Sequence, residues 1–237
     1  MLTAAFKNKV LTMLRKLILG FSVLTAMTLS AQTSTFVPDP KFGELYGQRA
    51  TLFDQLGVRS DNIVMLGNSL THGCEWRELL GNPLVVNRGI NGDTAEGIYQ
   101  RLGSVLRGQP AKIFLLTGVN DVSHDLTPEE VVDGIVKILL RIRQESPSTR
   151  VYLQSLLPIN QSFERYHRLD GKEDVIREIN RLLQLRAAEL GVTWINLYPH
   201  FTDGEGNLRR ELSNDGLHLL APGYLIWRDL LLPYINE

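Results

Sequence analysis

Ile63-Val64-Met65-Leu66-Gly67-Asn68-Ser69-Leu70-Thr71 joins an apolar run to a glycine and then to small polar residues. Four apolar residues in a row suit a strand covered on both faces, as in parallel sheets, and the glycine marks the turn that follows. Similar short runs stand at 84–86, 113–116, 151–153 and 192–195, so the pattern predicts five buried strands.

The segments between these runs have helical periodicity. Over 128–145, Val131, Val132, Ile135, Ile138, Leu139 and Ile142 fall on one face. Thr127 can cap this helix, Pro128 suits its first position, and Glu130 completes a capping box. Ser146 and Pro147 end it. A second long helix is predicted over 174–190, with Val175, Ile176, Ile179, Leu182 and Leu183 inward and Gly191 as terminator. A last helix follows Pro222 and carries Tyr224, Leu225, Trp227 and Leu231, and residues 46–56 form an extra helix before the first strand. Strands alternating with helices imply an α/β fold: a three-layer α/β/α sandwich around a five-stranded parallel sheet, joined by right-handed crossovers.

Composition sets outer limits. The 237 residues, 43% hydrophobic and 22% charged, suit one globular domain. Lysine plus arginine (25) nearly balance aspartate plus glutamate (26), so the basic surplus of a nucleic-acid binder is missing. Cys74 is the only cysteine, which excludes an intramolecular disulfide and any multi-cysteine metal site. The five histidines lack paired ligand spacing, so neither a metal nor a cofactor is expected.

The N-terminus reads as an export signal. Lys7, Lys9, Arg15 and Lys16 precede an apolar run over 17–29, followed by Ser30, Ala31 and Gln32. Cleavage is expected after Ala31, with Met13 as an alternative start, and the protein is expected in the periplasm or outside the cell. The competing reading, an uncleaved anchor, meets the difficulty that the run is shorter than the ~20 residues a spanning helix needs. No stable membrane insertion is expected once the signal is gone. Residues 1–31 hold four basic and no acidic residues, so the remainder carries a formal charge of -5 against -1 for the whole chain. Residues 32–60 are read as an extension with a short helix, and 61–237 as the main domain.

In open α/β sheets, ligands bind beyond the carboxyl ends of the strands. There the chain places Gly67-Asn68-Ser69-Leu70-Thr71, then Asn87-Arg88-Gly89-Ile90-Asn91-Gly92-Asp93-Thr94, then Thr117-Gly118-Val119-Asn120-Asp121, and before the last helix Asp215-Gly216-Leu217-His218. Ser69 stands where a tight turn can present its hydroxyl. A nucleophilic serine needs a base, which His218 can supply while Asp215, three residues away, orients the imidazole. The backbone N–H groups of Ser69 and Gly92 and the side-chain amide of Asn120 are candidate oxyanion donors. Each motif alone is equally readable as a helix cap or a turn.

Together and in this order, the four blocks resemble the SGNH hydrolases, also called GDSL-like lipases and acylhydrolases, over about 61–224. The resemblance implies the SGNH, flavodoxin-like sandwich, with Ser69 as nucleophile, Asp215 and His218 as its partners, and Ser69, Gly92 and Asn120 around the oxyanion. Asn68 stands where the family name has aspartate and is expected to hold the loop. The wording from Asn87 to Thr94 is similar to the platelet-activating-factor acetylhydrolase-like branch and to carbohydrate acetylesterases. This implies a small-molecule ester substrate with a short acyl group, such as an acetylated glycan, and no nucleic-acid partner.

Three other readings are weighed beside this one. An α/β-hydrolase shares the order Ser, Asp, His, but its Gly-x-Ser-x-Gly motif meets Thr71 at the fifth position. A lipid acylhydrolase of the same family and a catalytically inactive carbohydrate-binding relative are the other two. His72 and His124 are read as pocket-lining, surface or capping residues, His167 and His200 as weaker candidates for the pocket, and Cys74 as a packed or partly exposed thiol near the site. Arg165, Tyr166 and Arg168 belong to a solvated loop that can shape the acyl-acceptor side.

Overall fold

Alternate residues of each central strand go to opposite faces, and the sequence makes both faces apolar. In the computed structural model, which describes residues 36–237, the strands are β1 (Ile63–Gly67), β2 (Val85–Gly89), β3 (Lys112–Leu116), β4 (Arg150–Gln154) and β5 (Thr193–Ile195). They form one parallel sheet in the order β2-β1-β3-β4-β5. Ile63 pairs with Val85 on one side and Lys112 on the other. The expected signal segment 1–31 lies outside the described residues.

The helices that matter for the site are α1 (Glu44–Leu56), α2 (Ser69–His72), α3 (Ala95–Arg101), α4 (Val119–Ser123), α5 (Pro128–Glu145), α6 (Glu173–Leu190) and α7 (Ala221–Asn236). Val64, Leu66, Ile113 and Leu115 face a core shared with Ile98 of α3, Ile135 and Ile138 of α5, and Ile179 and Leu183 of α6. Ile63, Met65, Phe114 and Leu116 face a second core with Trp76 and with Trp227 and Leu231 of α7. The result is the three-layer sandwich that the periodicity implies. Tyr46, Ala50 and Phe53 of α1 form a smaller cluster with Ile90, and the Tyr46 hydroxyl donates to Gly97 O at 2.8 Å.

Helix α5 keeps its expected limits, with Thr127 Oγ1 and the Glu130 side chain closing the capping box. Gly191 ends α6 in the left-handed conformation. Most other boundaries shift by a residue or two, and the largest difference is at the end of β2. β2 runs to Gly89, through Asn87 and Arg88, two residues that the sequence pattern places beyond the end of the apolar run. Both are compatible with a strand because their polar groups are engaged: Asn87 Nδ2 donates to the carbonyls of Thr71 and Cys74 at 2.9 Å, and Arg88 donates to Gly57 O at 2.6 Å.

This strand order fixes where a crevice can form. The chain leaves β1 for β2 on one side and then crosses to β3 on the other. The loops after β1 and β3 therefore diverge and open a gap at their carboxyl ends.

Candidate active site

The first loop of that gap turns abruptly into α2. Asn68 caps the helix, its Oδ1 accepting from Leu70 N at 3.1 Å, so Ser69 becomes the first helical residue. Its residue is 9% exposed, enough to reach solvent from an otherwise buried turn.

The Asp215–His218 loop reaches the same gap from the start of α7. Asp215 Oδ1 accepts from the backbone amides of Leu217 at 2.9 Å and His218 at 2.8 Å, an Asx-type turn that brings the two side chains together. Ser213 Oγ donates to His218 O at 2.7 Å. Gly216 takes φ +86°, and a side chain there would run into the Asn160 carbonyl; Asn160 N donates in turn to Gly216 O at 2.8 Å.

These turns create a continuous chain of contacts. Asp215 Oδ2 lies 2.8 Å from His218 Nδ1, and His218 Nε2 lies 2.9 Å from Ser69 Oγ. With the hydrogen on Nδ1 donated to the carboxylate, Nε2 is free to accept from the serine hydroxyl. Burial opposes the Asp215 charge, but hydrogen bonds from the His218 ring and from the Leu217 and His218 amides outweigh it and hold the carboxyl at about 2. The acid is thus ionised in the neutral range.

Tyr166 is part of this arrangement. Its hydroxyl donates to Asp215 Oδ2 at 3.0 Å, lies 3.0 Å from His218 Nδ1, and its ring meets the imidazole edge-on at 5.5 Å. Burial and the adjacent Asp215 push the phenol above its ordinary value, so it remains a neutral donor. Sequence reasoning put Tyr166 in a solvated loop. The loop is at the surface, yet its tyrosine lies against the acid, a contact between residues 49 positions apart that no local motif records.

Gly92 and Asn120 line the same cleft as Ser69. Gly92 adopts φ +77° with open space where a Cβ would be, leaving its backbone accessible. Asn120 Nδ2 donates one hydrogen to Asp93 O at 2.8 Å, and its second amide hydrogen is left over. Ser69, Gly92, Asn120 and His218 line one cleft of about 440 Å³. A similar cavity of about 430 Å³, at the other end of the strands beside Arg150 and Val192, is lined by neither serine nor histidine.

Under the cleft two buried acids tie the loops together. Arg101 Nε donates to Asp93 Oδ2 at 2.7 Å and its Nη2 to Gly67 O at 3.1 Å, joining α3, the Gly92 loop and the end of β1. Asp121 accepts from Ala95 N at 3.1 Å, and burial raises its carboxyl to about 6 despite that bond. The sequence reading overlooked both Arg101 and Asp121 as supports. A buried arginine cannot be told from a surface one until its partner is known.

The other flagged residues fall around this centre. His167 lines the cleft and pairs with Asp170 at 3.0 Å; at His72 partial burial and the nearby Arg49 charge lower the imidazole's affinity for a proton, against a hydrogen bond with Asn91 that raises it. His124 ends α4 and His200 lies in the short helix Tyr198–Phe201. Cys74 is 7% exposed, and burial pushes its thiol up to about 12, which leaves it inert as a nucleophile.

The comparisons with known proteins make the class a carboxylic ester hydrolase. The chain belongs to the GDSL-like lipase/acylhydrolase family, whose model matches residues 65–226. It is similar to platelet-activating factor acetylhydrolase IB subunit alpha1 of Rattus norvegicus, 30% identical over 175 residues that cover 70% of this chain and 71% of that one. Among solved structures it resembles a Streptococcus pneumonia protein provisionally described as a platelet activating factor, with TM-score 0.75, 28% identity and coverage of 81% and 93%. An acetyl-xylooligosaccharide esterase from Geobacillus Stearmophilus shares the fold, with TM-score 0.62, 17% identity and coverage of 76% and 96%.

Proposed function

We propose that this protein is an exported serine esterase that removes short acyl groups, chiefly acetyl, from carbohydrate esters. The observation that carries the reading is the unbroken contact from Asp215 through His218 to Ser69, at 2.8 and 2.9 Å. An acetyl group is favoured by the rat relative, an acetylhydrolase by name. A hydroxylated alcohol portion suits a cleft that offers Asn91, Asn120 and Ser123 as hydrogen-bonding groups around Ser69.

In this mechanism His218 Nε2 takes the proton of Ser69 as Oγ attacks the ester carbonyl carbon. The carbonyl π bond opens and its oxygen becomes the oxyanion, received by the N–H groups of Ser69 and Gly92 and the free Asn120 amide hydrogen. Losing one such donor raises a barrier by roughly 3 kcal/mol. Collapse of the intermediate breaks the bond to the alcohol oxygen, which leaves with the proton from His218. Water then repeats the sequence on the acyl-enzyme, releasing the carboxylic acid and restoring Ser69. Asp215 remains ionised throughout and stabilises the transient imidazolium.

The test is acetate release from acetylated sugars, beside nitrophenyl esters of increasing chain length. Ser69→Ala is expected to lose several orders of magnitude in turnover while melting at the wild-type temperature. A folded Ser69→Ala variant with near-normal turnover overturns the mechanism, and higher kcat/KM for octanoyl than for acetyl esters moves the protein to the lipid acylhydrolases.

A further inference from the structure

The segment that carries Tyr166 also lines the catalytic cleft with Arg165 and Arg168. Both side chains are exposed, and neither has a carboxylate partner among the described residues. Of the nearby acids, Asp170 meets His167 at 3.0 Å and Asp125 meets Lys172 at 2.9 Å while also feeling the charge of Arg168, and Glu164, next to Arg165 in the chain, is exposed and does not line the cleft. Among the described residues no aspartate or glutamate lines this cleft, and Asp215 meets it through His218 and Tyr166.

This is an unusual place for free cations. Residues 36–237 carry five more acidic than basic residues, since the segment before them holds four basic and no acidic ones. An anion approaching such a body meets average repulsion, whereas the cleft beside Ser69 presents two guanidinium groups. Guanidinium groups pair with carboxylates and phosphates through two parallel hydrogen bonds. Low-dielectric walls around like charges also concentrate their field in a cleft.

Building on the esterase reading above, we infer that the alcohol portion of the substrate bears a negative charge, a carboxylate or phosphate bound by Arg165 and Arg168. The ester would then lie across Ser69 with its acyl carbonyl toward Gly92 and Asn120 and its anionic end toward the 165–168 wall. The two arginines act in binding and orientation and take no part in proton transfer.

The test uses the purified protein and matched substrates acetylated at the same position: glucuronic acid against glucose, and glucose phosphate against glucose, with nitrophenyl acetate as a common reference. Wild type is expected to favour at least one anionic member by about tenfold or more in kcat/KM, chiefly through KM. That preference should shrink between about 20 mM and 0.5 M salt. In the Arg165→Gln/Arg168→Gln double variant the anionic-to-neutral ratio should fall towards one, and the double lysine variant should keep part of it. Hydrolysis of nitrophenyl acetate with no preference for either anion overturns the inference and leaves the esterase reading intact. An equal preference in wild type and the double glutamine variant does the same. No acetate from any of these esters removes the esterase reading and this inference with it.

Discussion

In the proposed mechanism Asp215 contributes to chemistry only through the imidazole it touches. One carboxylate oxygen accepts from the Leu217 and His218 amides and, at 3.3 Å, from the Ser213 hydroxyl, and the other meets His218 Nδ1 and the Tyr166 hydroxyl, so the imidazole is the one group of the Ser69 chain that Asp215 touches. Removing His218 deprives Ser69 of its base, after which Asp215 has little left to support. The Asp215→Ala/His218→Ala double variant should therefore be scarcely slower than His218→Ala, while Asp215→Ala alone is damaging but milder. Turnover per folded molecule and thermal melting, measured on the same four proteins, check this; independent, multiplicative losses would count against a coupled pair. Ser69, Asp215 and His218 were legible as candidates because each sits in a short motif next to a glycine or a strand end. Tyr166 was not, because its contact depends on how the 160–171 segment folds back on the Gly216 turn.

The loops around the cleft are held by a buried ion pair as well as by their own turns. Arg101 and Asp93 have side chains 1% and 0% exposed, and Arg101 also reaches Gly67 O, so the pair couples α3 to the end of β1. Breaking such a pair by removing one partner leaves a buried charge without compensation, at a cost of about 3–5 kcal/mol. Arg101→Met should therefore lower stability by that order in urea unfolding and loosen the Gly92 loop. Replacing both partners together, as in Arg101→Met/Asp93→Leu, should cost less than Arg101→Met alone, whereas two additive losses would show that the residues act independently. Helices α5 and α6 could be read almost to the residue because an apolar stripe, a cap and a glycine stop coincide. The end of β2 is hidden in the sequence because Asn87 and Arg88 are compatible with a strand only once Thr71, Cys74 and Gly57 supply their partners. Local periodicity reveals which faces are buried, whereas polar residues inside the core are interpretable only after the chain has folded.

Stability of the whole protein should depend on pH through groups that the fold pushes in opposite directions. Asp215 is held at about 2, below an ordinary aspartate near 3.9, so its contribution is present above pH ~4 and lost as pH falls through ~2. Asp121 is held at about 6 by burial, so between pH ~4 and ~6 the folded state binds a proton that the unfolded chain has released. Its effect therefore has the other sign: stability falls as pH rises through that window, by on the order of 2–3 kcal/mol. His72, whose imidazole is lowered by burial, works against this near neutrality, because the unfolded chain then holds the extra proton and stability rises with pH. The wild-type curve is consequently a balance, and the informative quantity is the difference between wild type and Asp121→Asn. Asparagine keeps an oxygen for Ala95 N but cannot ionise, so the variant should gain stability relative to wild type as pH increases from about 4 to 7. Urea unfolding of both proteins across that range provides the measurement. A difference that stays level with pH would mean that Asp121 ionises in the fold as readily as in the open chain, and that the space beneath the Ser69 cleft is wetter than its burial implies.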